Sequence, residues 1–252
     1  MNILINILVG LGCLIFGYIF GSIPTAVLYG KIFHHVDIRT IGSGNAGGTN
    51  VKRTWGKRAG NTVIIIDFIK TFIPFVAMWA ILTYVPFNGK PLMQTTGDFY
   101  LNHDNNYIIN FPIYWICIIG AIIGHCWPVF AGFKGGKGAA GLIGTICLSS
   151  WLIGFLPMIP YIFIRKKSRM VSLSVLTTTL FVVIVSWIYS ILFLTHVIPA
   201  NLYWLPGYGP MFNIPLYYSL TITILYVIVF IRHKENIKRL LKGEERTMTV
   251  GM

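Results

Sequence analysis

The chain has 252 residues, 55% hydrophobic and only 11% charged, with a mean hydropathy of +0.71 and a formal net charge of +13. A soluble domain carries about 25% charged residues, so the composition excludes an ordinary soluble protein. What remains is an integral membrane protein with room for roughly six or seven spans of about 20 residues each. In a soluble chain the positive charge would suggest nucleic acid; here the first explanation to test is that basic residues collect in cytoplasmic loops.

The opening stretch, MNILINILVGLGCLIFGYIFGSIPTAVLYG, lacks a basic start and is too long for a cleaved leader. It reads as a first transmembrane helix. Apolar stretches follow one another at 3–30, 61–87, 108–131, 139–164, 173–197 and 214–231. Lys and Arg cluster between them in 31–58, 132–138 and 165–169 and in the tail from Arg232, which together hold 18 of the 20 basic residues. All four clusters are expected on the cytoplasmic side, with the connections near 88–107 and 198–213 outside. The clusters at 132–138 and 165–169 cannot share a side if one helix separates them. The apolar stretch 139–164 is too short for two full crossings, so it is expected to form two short helices in a hairpin, broken near Ser149, Ser150 and Pro157. The expectation is a single all-α domain over 1–252. It has about seven transmembrane helices, two of them short, with the N-terminus outside and the C-terminus in the cytoplasm.

Chemistry must then reside in the polar stretches. GSGNAGGTNVKRTWGKRAGN (42–61) interleaves glycines with Ser43, Asn45, Thr49 and Asn50 and with Lys52, Arg53, Lys57 and Arg58; Asp37 is the one acid nearby. A loop that only fixes topology needs the cations but not the glycines and neutral donors, so the composition points to an anion. GHCWPVFAGFKGGKGAAG (124–141) places Lys134 and Lys137 among glycines just before a helix expected from about Ala139. A glycine-rich turn entering a helix N-terminus offers free amides and the positive end of the helix dipole to phosphate. It is not a nucleotide loop, because Gly138 stands where Ser or Thr should follow the lysine.

Elsewhere the residues are less telling. The four cysteines read as buried thiols, and His125 as a structural residue at a helix end. Ser172 and Ser174 are placed to cap a helix, and 231–247 reads as a basic amphipathic helix. His233 and Asn236, three apart, should share a face of that helix. Asp67 and Lys70 lie inside an apolar stretch at i, i+3 spacing, where charges are paired or functional.

Together the four polar stretches resemble the bacterial glycerol-3-phosphate acyltransferases that use acyl-phosphate, the PlsY family. GSIPTAVLYGK, DIRTIGSGNAGGTNVKRTWGKRAG, GHCWPVFAGFKGGKG and RHKENIKRLLKG match its pieces in order and at comparable spacing. The resemblance implies a seven-helix fold in the bacterial plasma membrane with the active site at the cytoplasmic face. It implies transfer of an acyl group from acyl-phosphate to the 1-hydroxyl of glycerol 3-phosphate, giving lysophosphatidate and phosphate. No metal or cofactor is expected, nor any nucleic acid; membrane lipid is a partner, and a functional link to the enzyme that makes acyl-phosphate is implied. Ser43, Arg53, Lys137, Ser172, His233 and Asn236 are the residues it assigns to catalysis. Gly44, Asn45, Thr49, Asn50, Gly135, Gly136 and Gly138 are expected to bind substrate. The chain departs from the family pattern at Gly48, at Ala139-Ala140-Gly141 and in longer outer connections. A transporter for a phosphate-bearing solute is the alternative, but it would line a path with polar groups, and apart from Asp67 and Lys70 the midplane is apolar. A lipid phosphatase would need a nucleophile or an acidic metal cluster, which seven scattered acids do not supply.

Overall fold

The computed structural model describes residues 2–87, 89–91, 113–149, 156–195, 197 and 215–248. A helix lies in each of the six apolar stretches. α1 (Asn2–Gly21) and α2 (Thr25–His34) are separated by a break at Pro24, which has no amide hydrogen to continue the ladder. α3 (Gly48–Tyr84) is interrupted at Gly56, whose φ of 88° is outside the helical region. α4 is Trp115–Cys126 and α5 is Ala139–Ser149, starting at the residue expected from the sequence. α6 is Met158–Ser168 with Pro157 at its N-cap, and α7 is Val171–Leu194. α8 (Pro215–Arg232) bends by 65° into α9 (Lys234–Leu241). A two-residue antiparallel ladder pairs Pro86–Phe87 with Lys90–Pro91.

Among the described residues, three helical stretches are long and apolar enough to cross a membrane alone: 4–34, 48–84 and 171–192. A fourth qualifies if the bent pair α8–α9 is taken as one span. Among the described residues of 139–168 lie two short helices; at 11 residues each, α5 and α6 reach roughly 16 Å. The expected break at Ser149 and Ser150 falls at the edge of the description, whereas Pro157 does precede a helix start. Most of the connections 88–107 and 198–213 lies outside the described residues.

In lipid there is little hydrophobic gain from pairing two helices, so close backbone packing must hold them. α1 and α4 supply it with two facing glycine pairs. A Cβ at Gly17 would stand 2.0 Å from the Cys117 carbonyl oxygen and one at Gly21 2.0 Å from that of Ala121. Reciprocally, a Cβ at Gly120 would meet the Leu14 oxygen, and one at Gly124 the Tyr18 oxygen, each at 2.2 Å. The Tyr18 hydroxyl donates to the Trp127 carbonyl at 3.0 Å and so ties α1 to the end of α4, where the lysine loop begins.

The break at Pro24 also needs a partner for the carbonyls it frees. Lys70 of α3 donates to the Ile23 carbonyl at 2.6 Å, and Asp67 neutralises that ammonium at 2.9 Å. His125 at the end of α4 stands 3.5 Å from the same carboxylate oxygen. Asp67, Lys70 and His125 are all buried, so this cluster locks α3 to the α1–α2 break and to α4.

Gly120→Val should therefore lower the stability of the detergent-solubilised protein by at least the roughly 1–3 kcal/mol typical of overpacking. Gly12→Val, where nothing lies within 4 Å of a new Cβ, should be nearly neutral. Thermal unfolding of the two variants compares them directly; equal melting temperatures would contradict the packing account.

Candidate active site

The first polar loop is organised by one buried amide. Asn50, 1% exposed, donates to the carbonyls of Ile38 (3.1 Å) and Ile41 (3.0 Å) and accepts the Ser43 backbone amide at 2.7 Å. Gly42 has a φ of 63°, and a Cβ there would stand 2.3 Å from the Asn50 side-chain oxygen, so the loop closes only around a glycine. Ser43, Gly44 and Asn45 are thereby held in a tight turn. Beyond it, Gly48 and Lys52 pack against Ile64 and Gly60, so the part of α3 ahead of Gly56 doubles back along the start of the span.

The lysine loop is fixed from several sides. Its Gly136 amide donates to the His125 carbonyl at 3.1 Å. The Arg232 guanidinium donates to the carbonyls of Gly136 (3.0 and 3.1 Å) and Gly135 (3.3 Å) while lying 5.2 Å from the Trp127 ring centroid. Arg39, oriented by Asp37 at 2.7 Å, reaches the Ala131 carbonyl at 2.7 Å.

The bend between α8 and α9 turns His233 and Asn236 inward, at 4% and 6% exposure. After Gly243 the chain returns over the same region. The Met248 amide donates to the Arg169 carbonyl at 2.9 Å, Arg246 donates to the Gly42 carbonyl at 3.2 Å, and Arg53 donates to the Arg246 carbonyl at 3.4 Å. This return brings in Glu245, which the sequence did not single out. Its buried carboxylate accepts from Ser172 Oγ (2.8 Å), Asn236 Nδ2 (2.6 Å) and Arg239 Nε (2.9 Å). Asn236 Oδ1 in turn accepts from Lys137 Nζ.

One cavity of about 490 Å³ gathers the result. Ser43, Arg53, Lys137, Ser172, His233 and Asn236 all line it, as do Gly44, Asn45, Thr49, Asn50 and Gly138. Asn50 does so with its side-chain amide already committed to the loop. Gly135 and Gly136 do not line this cavity: their carbonyls turn to Arg232, and a Cβ at Gly136 would stand 2.2 Å from the His125 ring. Gly141, where the chain departs from the family pattern, is also absent from the lining; its missing Cβ would meet Ile122 and Thr71. Ser172 does not cap α7, which begins one residue earlier at Val171, and its hydroxyl serves Glu245 instead. The neighbouring Ser174 hydroxyl donates back to the Met170 carbonyl.

Five cations line the cavity (Arg53, Lys137, Arg232, Arg239 and Arg246) against Glu245, the exposed Glu235 and an Asp67 already paired with Lys70. Burial, reinforced by Arg239, Arg232 and Arg53 and opposed by Glu245, brings the Lys137 ammonium down to about 8. Burial likewise brings His233 down to about 4, with Lys137 and Arg232 adding to it and a hydrogen bond to the Val229 carbonyl opposing it. At neutral pH His233 is uncharged. Its Nδ1–H donates to Val229 at 2.7 Å, leaving Nε2 as the acceptor. Apolar side chains line the cavity as well: Ile64, Ile143, Tyr161, Val171 and Val175.

His125 and Asp67, read from sequence as structural or paired, also line the cavity. The i, i+3 spacing of Asp67 and Lys70 on α3 was visible in the sequence, but nothing local joined that pair to His125 or to the lysine loop. Glu245 had only a faint signal, the second of two adjacent acids just past Gly243 in a basic tail.

The profile of the glycerol-3-phosphate acyltransferase family matches residues 11–243. The glycerol-3-phosphate acyltransferase of Francisella tularensis subsp. novicida is 32% identical over 232 residues, covering 92% of this chain and 89% of that one. The enzyme of the same name from Anaeromyxobacter dehalogenans is 30% identical, covering 91% and 92%. Among solved structures, the crystal structure of PlsY (YgiH), an integral membrane glycerol 3-phosphate acyltransferase, aligns in its glycerol 3-phosphate form. The TM-score is 0.67 at 28% identity, over 95% of this chain and 96% of that one. The lysophosphatidic acid form aligns at 0.65 and 27%, over 95% of each chain. With membrane-length apolar helices, a cation-rich cavity and matches spanning most of its length, this chain belongs to the glycerol-3-phosphate acyltransferase family of integral membrane proteins.

Proposed function

We propose that the protein transfers an acyl group from acyl-phosphate to the 1-hydroxyl of sn-glycerol 3-phosphate, giving lysophosphatidate and inorganic phosphate, the first step of phospholipid synthesis. The observation that carries this reading is the cavity itself, which is lined both by cations and hydroxyl and amide donors and by apolar side chains. Two phosphate-bearing substrates need the first, and an acyl chain needs the second. The related crystal structures with glycerol 3-phosphate and lysophosphatidic acid support the acceptor and product. The acyl-phosphate donor, and a link to the enzyme that supplies it, rest on the chemistry and on the resemblance.

The topology proposed with it is about seven spans in the bacterial plasma membrane. The N-terminus lies outside, and the lysine loop, the tail and the active site lie on the cytoplasmic face. The partition of basic residues supports this orientation. The mutual pairing of Asp67 and Lys70, with Lys70 also held by the Ile23 carbonyl, speaks against a polar path through the membrane.

In the proposed reaction the 1-hydroxyl oxygen attacks the acyl carbonyl carbon, and the bond from that carbon to the phosphate oxygen breaks. Phosphate leaves with the electron pair, and the hydroxyl proton passes to a substrate phosphate oxygen. The donor is a mixed anhydride, already activated, so no protein nucleophile is required. Lys137 and Arg53 stand where negative charge is held and developed, the setting in which preorganised donors contribute most. His233, at about 4, is a weak base and is better suited to hydrogen-bonding and positioning phosphate beside Asn236.

The direct test is an assay of purified protein with acyl-phosphate and glycerol 3-phosphate, following lysophosphatidate and phosphate together. Wild-type protein should form both in equal amounts, and Lys137→Ala should lose well over tenfold in transfer, since a charged hydrogen bond contributes about 1.5–3 kcal/mol. Full activity in that variant would overturn the reading.

The pH dependence follows from the same side chains. Lys137 loses its proton near 8 in the free protein, so kcat/KM should fall as pH rises through about 8, while bound dianionic phosphate should carry that limb of kcat to higher pH. His233 stays neutral down to about 4, so an acidic limb near the second phosphate pKa of about 6 belongs to substrate. His233→Gln should keep that acidic limb and measurable turnover. A fall of roughly a thousandfold, within the range of general-base catalysis, together with loss of that limb, would make His233 the base.

A further inference from the structure

Arg232 lines the cavity and spends its donors on the backbone of the lysine loop. Nε and Nη2 converge on the Gly136 carbonyl at 3.1 and 3.0 Å, and Nη2 also reaches Gly135 at 3.3 Å. The Trp127 ring, 5.2 Å from the guanidinium carbon, seats the group. No peptide bond in the described chain is cis, and in a planar trans peptide the N–H points opposite to the preceding C=O. Drawing the Gly135 carbonyl toward Arg232 therefore sends the Gly136 N–H the other way, where it meets the His125 carbonyl at 3.1 Å. Drawing the Gly136 carbonyl toward Arg232 likewise directs the Lys137 N–H away from the guanidinium. Among the described residues that amide has no backbone acceptor, and Lys137 lines the cavity.

We infer that Arg232 is a positioning residue that sets the lysine loop so that the Lys137 amide, with its own ammonium, donates to a phosphate group of the substrate. The inference rests on the phosphate reading of the cavity and deepens it. The carbonyl clamp explains why Gly135 and Gly136 stand behind the cavity: they supply the carbonyls Arg232 grips. It also calls for arginine in particular. A planar fork can hold two successive carbonyls while stacking on an indole, which a lysine point charge cannot do.

The test compares Arg232→Lys with wild type in steady-state transfer, varying acyl-phosphate and glycerol 3-phosphate separately. Loss of a charged clamp should raise KM for at least one of them on the order of tenfold, with kcat changed less than about threefold. The substrate whose KM rises is the one whose phosphate sits on the loop. Adding methylguanidinium to Arg232→Gly should restore part of that affinity, and methylammonium at equal concentration should not. A wild-type KM for both substrates in Arg232→Lys would overturn the inference, showing that charge alone suffices; so would a fall in kcat with unchanged KM. Should neither variant fold, Trp127→Leu, which keeps Arg232 and an apolar side chain but removes the ring beside the guanidinium, takes their place: a raised KM supports the clamp and an unchanged KM contradicts it. An inactive Lys137→Ala beside a normal Arg232→Lys would strike the clamp alone, whereas an active Lys137→Ala would strike the phosphate reading beneath it.

Discussion

The arrangement of the site depends on a buried carboxylate being satisfied. A charge removed from water is costly unless hydrogen-bonded and paired, and Glu245, 8% exposed, meets that demand with donors from separate parts of the chain. Ser172 comes from the start of α7, and Asn236 and Arg239 come from α9. Because Asn236 gives its amide hydrogens to Glu245, its oxygen is left to receive Lys137 from the lysine loop. One carboxylate thus draws together three of the residues that the sequence singled out for chemistry.

Around that centre the site is charged in excess. Five cations share a cavity whose acids are mostly committed elsewhere, and their repulsion adds to the burial that depresses Lys137. Such crowding is unfavourable in the empty protein and favourable once a phosphate dianion is present, the usual pattern where function works against stability. The membrane-embedded part supplies the rigidity. The facing glycine pairs of α1 and α4, and the Asp67–Lys70–His125 cluster, fix the end of α4 from which the lysine loop departs.

Much of this was legible in the sequence, and the limit is physical. The apolar stretches, the start of α5 at Ala139, Pro157 before α6, and the shared inward face of His233 and Asn236 all depend on local spacing or on proline, which a linear reading captures. The glycine-rich loops announced an anion through composition. What escaped depends on contacts across the chain. Glu245 meets Ser172, and Arg232 meets Gly135 and Gly136, at separations of 73, 97 and 96 residues. Asn50 looked like a ligand because its side chain could bind one, yet the fold uses it to close a turn. Ser172 looked like a cap because the helix start was placed too late.

The central claim is that the acyl group passes directly between two phosphate-bearing substrates, with no covalent protein intermediate. It is tested most directly by mixing enzyme at substrate-like concentration with acyl-phosphate labelled in its acyl chain, in the absence of glycerol 3-phosphate. Phosphate release and protein-bound label are then followed over the first turnover. The account predicts no stoichiometric release of phosphate and no label on the denatured protein until glycerol 3-phosphate is added. A burst of one phosphate per protein, with the acyl label retained on the chain, would contradict it.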